Sequence, residues 1–314
     1  MHDTEMKHVF KRIEQNPLIT AEDIPYLANT VFNAGAIQFE NEVLLLLRVE
    51  SASGRSHLIV ARSEDGITNW RVGDRALLHP EDNFPYESNG CEDCRITWME
   101  DLGAYVLVYT AYSDQGPGIA IATTQDFKTV ARLGLMFPPN DKNGALLPAK
   151  FDGQYAILHR PSVGGGSIWL SYSEDLVYWG KPQLVVPVRK GPWWDGQRVG
   201  AGLPPVLTDE GWLLMYHGVK DLAGRPIYRM GAALLDRERP SVLRARARRW
   251  LLGPETQYER TGDAPNVIFA CGGFIRDGML WLYYGAADSS ICLARANVND
   301  VLRVVKTETV EPGV

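Results

Sequence analysis

Ala61-Arg62-Ser63-Glu64-Asp65-Gly66-Ile67-Thr68-Asn69-Trp70 returns as Ser171-Tyr172-Ser173-Glu174-Asp175-Leu176-Val177-Tyr178-Trp179, and this pair decides the fold. Between the two, Ala122-Thr123-Thr124-Gln125-Asp126-Phe127 is a weaker copy. Leu234-Leu235-Asp236-Arg237-Glu238-Arg239-Pro240 and Arg295-Ala296-Asn297-Val298-Asn299-Asp300 are degenerate cousins. Each copy follows a short apolar segment and opens a polar turn. A strand that ends in Ser-x-Asp gives short side chains backbone groups to bond, which fixes the turn. Copies recurring at roughly 50–65 residues match the blades of a β-propeller, each a small antiparallel sheet. A β-sandwich of repeated hairpins is the alternative, but a sandwich has no reason to repeat one turn at this interval.

The sequence around the copies agrees. Apolar segments at 43–48, 56–62, 105–111, 119–123, 155–159, 168–172, 212–218, 230–235 and 280–285 are short and bounded by turn formers. They are rich in β-branched and aromatic residues, as strands are. Only residues 5–14 and 299–304 read as helix. The expectation is an all-β, five-bladed propeller, a single catalytic domain over residues 1–314, with residues 1–30 an N-terminal extension packed on it.

Composition narrows the function. The 32 Lys and Arg against 38 Asp and Glu leave a net charge of -6. No overall positive field exists to hold nucleic acid or an acidic membrane. Four cysteines in 314 residues are not a disulfide framework. The polar start carries no apolar secretory core, and the longest aliphatic run, residues 43–47, is far short of the roughly 20 needed to span a bilayer. A cytoplasmic protein is expected, with a homo-oligomer left open. Nine Trp and 13 Tyr suit either a β core or a sugar-binding cleft.

The oddest segment is Gly90-Cys91-Glu92-Asp93-Cys94-Arg95-Ile96-Thr97. It sets two adjacent carboxylates and an arginine at the entry to a strand. Successive strand residues face opposite sides. Glu92 and Asp93 are therefore expected in different environments, one paired with Arg95 and the other in a pocket. A solvated turn is the plain alternative. Cys91-x-x-Cys94 invites a metal reading, but no second pair has the spacing, and no metal site is expected.

At this point the chain resembles the mannoside phosphorylases of glycoside hydrolase family 130. The resemblance rests on separated motifs in order. They include Phe32-Asn33-Ala34-Gly35-Ala36, Leu47-Arg48, Gly54-Arg55-Ser56, the Glu92-Asp93-Cys94-Arg95 segment and His159-Arg160-Pro161. Arg198-Val199-Gly200-Ala201-Gly202, Tyr216-His217-Gly218, Tyr228-Arg229-Met230-Gly231, Pro265-Asn266-Val267-Ile268-Phe269 and Tyr283-Tyr284-Gly285-Ala286-Ala287-Asp288 complete the set. The family's five-bladed propeller agrees with the repeat count.

The resemblance implies inverting phosphorolysis of β-1,4- or β-1,2-linked mannosides, including mannosyl-glucose and mannosyl-N-acetylglucosamine. Inorganic phosphate is the co-substrate, α-mannose 1-phosphate the product, and no cofactor is needed. Asp93 matches the family's single catalytic carboxylate, a general acid acting through a sugar hydroxyl. Arg48, Arg55, Arg160, Arg198 and His217 match its phosphate-binding positions. Asn33, Lys142, His159, Tyr228, Phe269 and Asp288 match substrate-pocket positions. Arg198 stands where the family often has Lys, and Asn143 where it usually has Asp. A phosphate nucleophile arrives anionic, so a second carboxylate to activate water, as an inverting hydrolase needs, is not required. An inverting β-mannoside hydrolase or a non-catalytic glycan-binding propeller are the competing readings.

Other signals read as structural. Residues 243–250 alternate arginine with small residues, as a solvated strand face does, with an anion-binding strip as the minor alternative. Loops 84–89 and 190–196 are expected near the leaving sugar, and Trp193-Trp194 as a wall there or as structure.

Overall fold

The computed structural model describes residues 8–163 and 165–307. Two short strands come first, β1 (Lys11–Arg12) and β2 (Ile19–Thr20). Then β3 (Thr30–Phe39), β4 (Glu42–Glu50), β5 (Ser56–Ser63) and β6 (Arg71–Leu78) pair antiparallel in chain order. The run β7 (Gly90–Met99), β8 (Ala104–Ser113), β9 (Gly116–Thr124), β10 (Ala131–Phe137) repeats that pattern. One parallel bridge, Ser56 to Gly90, joins these two runs into an eight-stranded sheet.

A four-stranded sheet follows, made of β11 (Asp141–Phe151), β12 (Gln154–Pro161), β13 (Ile168–Ser173) and β14 (Gly180–Val186). The next comprises β15 (Arg198–Ala201), β16 (Val206–Thr208), β17 (Gly211–Asp221), β18 (Pro226–Leu235) and β19 (Leu243–Arg246). After a single helical turn, α1 (Gln257–Arg260), come β20 (Ile268–Arg276), β21 (Met279–Ala286) and β22 (Ser290–Asn297). The free edge of β22 takes both β1 and β2. Helix α2 (Val298–Thr307) closes the described chain. The fold is all-β, as expected.

The repeated motif does the job its residues suggest. It ends the third strand along the hydrogen-bonded path of each run, at β5, β9, β13, β18 and β22. Asp65 accepts the amides of Ile67 and Thr68, Asp126 those of Lys128 and Thr129, and Asp175 those of Val177 and Tyr178. The degenerate copies keep the device, with Asp236 accepting from Glu238 and Arg239, and Asn297 from Asn299. A side-chain oxygen that satisfies two turn amides ends the strand without leaving buried donors unmet.

Each large apolar cluster lies between two successive runs. Leu44 and Leu46 of β4 pack with Leu107 and Tyr109 of β8, and Val106 and Val108 with Leu146 and Ile157. Leu158 and Leu170 meet Leu214 and Tyr216, and Met230 and Ala232 meet Leu282 and Ala294. Trp281 and Tyr283 of the last run then pack with Val43, Leu45 and Leu47 of the first. Strand β4 is thus buried on both faces, which is why residues 43–47 read as an unbroken aliphatic run.

Two expectations are corrected. Residues 5–14 were expected as helix. Residues 1–7 lie outside the described residues, and Lys11–Arg12 is a strand whose pairing with Arg295 and Ala294 overrides local helical preference. Arg12 also donates to Glu259 at 2.7 Å, tying this segment to α1. The arginines of 243–250 are not one solvated face. Arg244 is outward and pairs with Asp236, whereas Arg246 is buried and donates to Asp195 at 2.7 Å.

Asp195 is fully buried and also accepts from Arg189 at 3.0 Å and from the Tyr216 hydroxyl at 2.9 Å. It is the anion between two interior guanidiniums. Removing one member of such a group leaves buried charge uncompensated, at about 3–5 kcal/mol. Asp195→Ala is expected to lower the unfolding free energy by that amount in urea denaturation. A loss below about 1 kcal/mol would mean that the arginines rest on their backbone acceptors alone.

Candidate active site

Three strands carry the same irregularity at the same place. In β3, Phe32 pairs with Arg48 but Gly35 with Leu46, so one residue is extra. In β7, Glu92 pairs with Thr110 and Arg95 with Val108. In β11, Lys142 pairs with Arg160 and Ala145 with Leu158. The first unpaired residue is left-handed each time: Asn33 at φ 51°, Asp93 at 52° and Asn143 at 59°. Asn and Asp are the side chains that tolerate this conformation best after glycine. All three line one cavity of about 1170 Å³.

The bulge overturns the expectation that Glu92 and Asp93 face apart. Alternation fails at a residue with positive φ, and both carboxylates reach Arg48. Its guanidinium donates to Asp93 at 2.9 Å and to Glu92 at 3.0 Å. Arg95 pairs with neither. It is buried and donates to the backbone carbonyls of Asp93, Ala201 and Gly202. The same irregularity brings Cys91 and Cys94 into one apolar cluster, as buried free thiols.

The cavity has two electrical ends. At one, Asn33 donates to Asp93 at 2.9 Å, and Lys142 lies 3.7 Å from Glu92. Asp288 lines the same end, on a left-handed turn after β21. Burial alone raises Asp93, but Arg48, Arg95, Lys142 and the Asn33 hydrogen bond outweigh it and hold the carboxyl below its ordinary range. Asp288 goes the other way. Burial and then Asp93 push it up to about 7. As pH falls towards neutral, Asp288 is therefore the first of the two carboxyls to take up a proton, while Asp93 keeps its charge.

At the other end, Arg160 is buried, and no carboxylate pairs with its guanidinium among the described residues. Burial and the neighbouring Arg198 lower it to about 10. Arg198 hydrogen-bonds the Tyr228 hydroxyl. His217 is fully buried, and burial with Arg160, Arg95 and Arg198 pushes it well below its ordinary value, so the ring is neutral. Both its nitrogens, Arg160 Nε and Asn143 Oδ1 are buried without a partner. Gly200 sits against this group, where a Cβ would come within 2.4 Å of the His217 ring and 2.7 Å of Asn143 Oδ1. Orphaned polar atoms on this scale mark a place built for a polar ligand.

Ten of the twelve residues expected at the site line this cavity: Asn33, Arg48, Asp93, Lys142, Arg160, Arg198, His217, Tyr228, Phe269 and Asp288. Arg55 and His159 do not. Arg55 is solvent-exposed ahead of β5. His159 is buried behind the wall, where Asp141 at 2.7 Å and Ser171 at 2.9 Å engage both ring nitrogens and Phe137 stacks on it. Its bond to Asp141 steadies the strand that carries Arg160, whose amide donates to the same carboxylate. The rim is made by Ser162, Gly165 and Gly166, by Gly224–Pro226 and by Ala264–Asn266, rather than by residues 84–89 or 190–196. Trp194 lies under β17 and β18. Sequence reading missed Tyr112, Ser162, Gln197 and Arg225, whose only signal was a place near a strand end.

The sequence profile of the beta-1,4-mannooligosaccharide phosphorylases, glycoside hydrolase family 130, matches residues 3–307. The chain belongs to glycoside hydrolase family 130. Within the family, the beta-1,4-mannooligosaccharide phosphorylase of Ruminococcus albus is 33% identical over 96% of this chain and 92% of its own. The beta-1,2-mannobiose phosphorylase of Listeria innocua is 31% identical over 95% and 98%. The solved complex of the Listeria innocua beta-1,2-mannobiose phosphorylase with beta-1,2-mannobiose superposes with a TM-score of 0.86, covering 95% of this chain and 99% of that one at 30% identity. Another family 130 structure has a TM-score of 0.82 at 25% identity, covering 96% of both chains. It accompanies the finding that the family also contains hydrolases targeting β-1,2 mannosidic linkages in Candida mannan.

The raised Asp288 carboxyl has a thermodynamic signature. Its folded-state value of about 7 lies above the ordinary 3.8, so between those limits the folded chain binds the extra proton. Stability from this group is present below pH 4 and is lost as pH rises towards 7. The difference between the native protein and Asp288→Asn should shift by roughly 4 kcal/mol at most, at about 1.4 kcal/mol per pH unit. Denaturation midpoints of both proteins from pH 4 to 8 check this, and parallel curves would place the proton elsewhere.

Proposed function

We propose that this protein is a glycoside phosphorylase that cleaves β-mannosides with inorganic phosphate, inverting the anomeric centre to give α-mannose 1-phosphate. The observation that carries the reading is the uncompensated cationic end of the cavity. Arg160 and Arg198 present charge and the neutral His217 ring an N–H donor, with no carboxylate paired to them among the described residues. Arginine's planar fork of donors suits the oxygens of a phosphate. The relatives are phosphorylases of β-1,4- and β-1,2-linked mannosides and of 4-O-β-D-mannosyl-D-glucose. That range defines the substrate class, with the leaving sugar toward the rim.

In the reaction proposed, the mannosyl ring sits at the acid end against Asn33, Asp93 and Asp288, with its anomeric carbon turned towards the cationic end. Phosphate attacks the anomeric carbon from the face opposite the leaving oxygen. A carbon–oxygen bond to phosphate forms as the glycosidic bond breaks. Asp93, the catalytic residue, takes over the proton that the raised Asp288 carboxyl holds, passes it through a mannosyl hydroxyl to the leaving oxygen, and is left as the carboxylate. Arg48 stays with the carboxylates and sets their charge, in place of the phosphate-binding role that the family resemblance implies for it. Phosphate is the co-substrate, and this chemistry calls for no cofactor or metal.

We read the architecture as a five-bladed propeller in one domain. Five equivalent side-chain-capped turns support this, as does the packing of the last run on the first. Four buried free thiols suit a cytoplasmic enzyme.

Incubation with β-1,4- and β-1,2-mannobiose, with and without phosphate, tests the reading. Mannose 1-phosphate is expected only with phosphate, and none from Asp93→Asn. Free mannose formed equally without phosphate would make the protein a hydrolase, and no turnover would leave a glycan-binding protein. Arg160→Ala is expected to raise the KM for phosphate by the equivalent of about 2–5 kcal/mol, the usual effect of truncating a desolvated charge partner, with mannoside KM little changed. An unchanged phosphate KM would remove Arg160 from that site.

A further inference from the structure

A second cavity, of about 660 Å³, lies on the other side of the β17–β18 hairpin and is lined by Trp193, Trp194 and Trp250 with Lys220, Arg229, Arg248 and Arg249. Pro192 and Leu222 complete it, and no carboxylate lines it among the described residues. Arg229 stacks over Trp250, 4.4 Å from the ring centroid, and Arg248 over Trp193 at 5.8 Å. A guanidinium laid on an indole is held by its face and keeps its edge donors for something else. Burial lowers Arg229 from its ordinary value. Lys220 is anchored to the Pro192 carbonyl at 3.0 Å, which fixes its ammonium at the rim.

This is an odd surface for a chain of net charge -6. A solvated basic face has no need of three indoles, and an apolar interface has no need of this many cations. Trp193 and Trp194 are taken up by Arg189, Arg248 and Tyr216, but Trp250 is 42% exposed and leaves ring surface for the apolar side of a sugar, and the stacked arginines suit an anion. The volume exceeds what a lone phosphate fills. We propose that this groove is a second ligand site, distinct from the catalytic cavity, that binds a phosphorylated sugar. The choice of ligand rests on the functional reading above, whose product belongs to this class.

The hairpin connects the two sites. Tyr228, bonded to Arg198, faces the catalytic cavity, and Arg229 faces the groove. At the tip, Leu222 lines the groove while Gly224, Arg225 and Pro226 form the cavity rim. A ligand held by Arg229 therefore acts on the strand that positions a cationic-end residue.

Calorimetric titration of the purified protein with α-mannose 1-phosphate tests the site. Arg229→Ala and Trp250→Ala should each remove, or weaken at least tenfold, a site that persists in Arg160→Ala. Circular dichroism and an unchanged thermal unfolding midpoint establish that these two variants are folded. Inorganic phosphate alone and mannobiose serve as the comparison arms. Equal binding of either at the groove overturns the assignment to a phosphorylated sugar. A site untouched by both groove variants, or no site surviving in Arg160→Ala, overturns the groove itself. The titration needs no turnover, so a failure of phosphorolysis is read separately.

Discussion

A single extra residue in each of β3, β7 and β11 sets the geometry on which the rest of the site depends. A regular strand sends neighbours to opposite faces, so it can offer a cavity only every second side chain. A left-handed residue breaks that count. Asn33, Asp93 and Asn143 all use the device, and all reach the same space. At Asp93 the gain is largest, because Glu92 and Asp93 both meet Arg48. Gly285 shows how tightly the device is packed: a Cβ there would come within 2.2 Å of Asn33 Oδ1. A larger residue at that point would displace the amide that bonds Asp93.

Burial then converts geometry into chemistry. Removing a charge from water penalises the ionised form unless a partner compensates. Asp93 has Arg48, Arg95 and Lys142 around it and stays charged. Asp288, buried and then repelled by Asp93, is raised to about 7. Two carboxyls in one cavity are thereby driven apart in proton affinity, the arrangement that separates a proton holder from an anion. Arg160, with Arg198 beside it, has the opposite imbalance, which an incoming anion relieves.

Much of this was legible in the sequence because it rests on local pattern. The capped turns follow from Ser-x-Asp and its variants, and the β4 run from burial on both faces. The cavity residues came mainly from the family resemblance, which placed ten of twelve at one space. What stayed hidden was non-local. Nothing local distinguishes a bulged Glu92-Asp93 pair from an alternating one, since the register shift depends on where β8 pairs. His159 had the composition of a site residue, but its imidazole is used up by Asp141 and Ser171. The run 243–250 looked uniform, yet its registry against β18 buries Arg246 and exposes Arg244. The rim escaped because it is assembled from loops far apart in the chain.

The polarity of the cavity has a simple origin in the repeat. Arg48 and Arg160 occupy matching places, each opposite the residue that precedes a bulge, on β4 and β12. Their environments differ through what lies nearest in the following run. Beside Arg48, β7 brings Glu92 and Asp93, and the arginine is neutralised into a carboxylate cluster. Beside Arg160, β15 brings Arg198, and the same kind of arginine is left with a like charge. One backbone plan, used twice, thus yields an acid end and an anion-receptive end by changing one neighbouring strand. A substrate that is a neutral sugar on one side of its reacting carbon and a phosphate on the other fits that division.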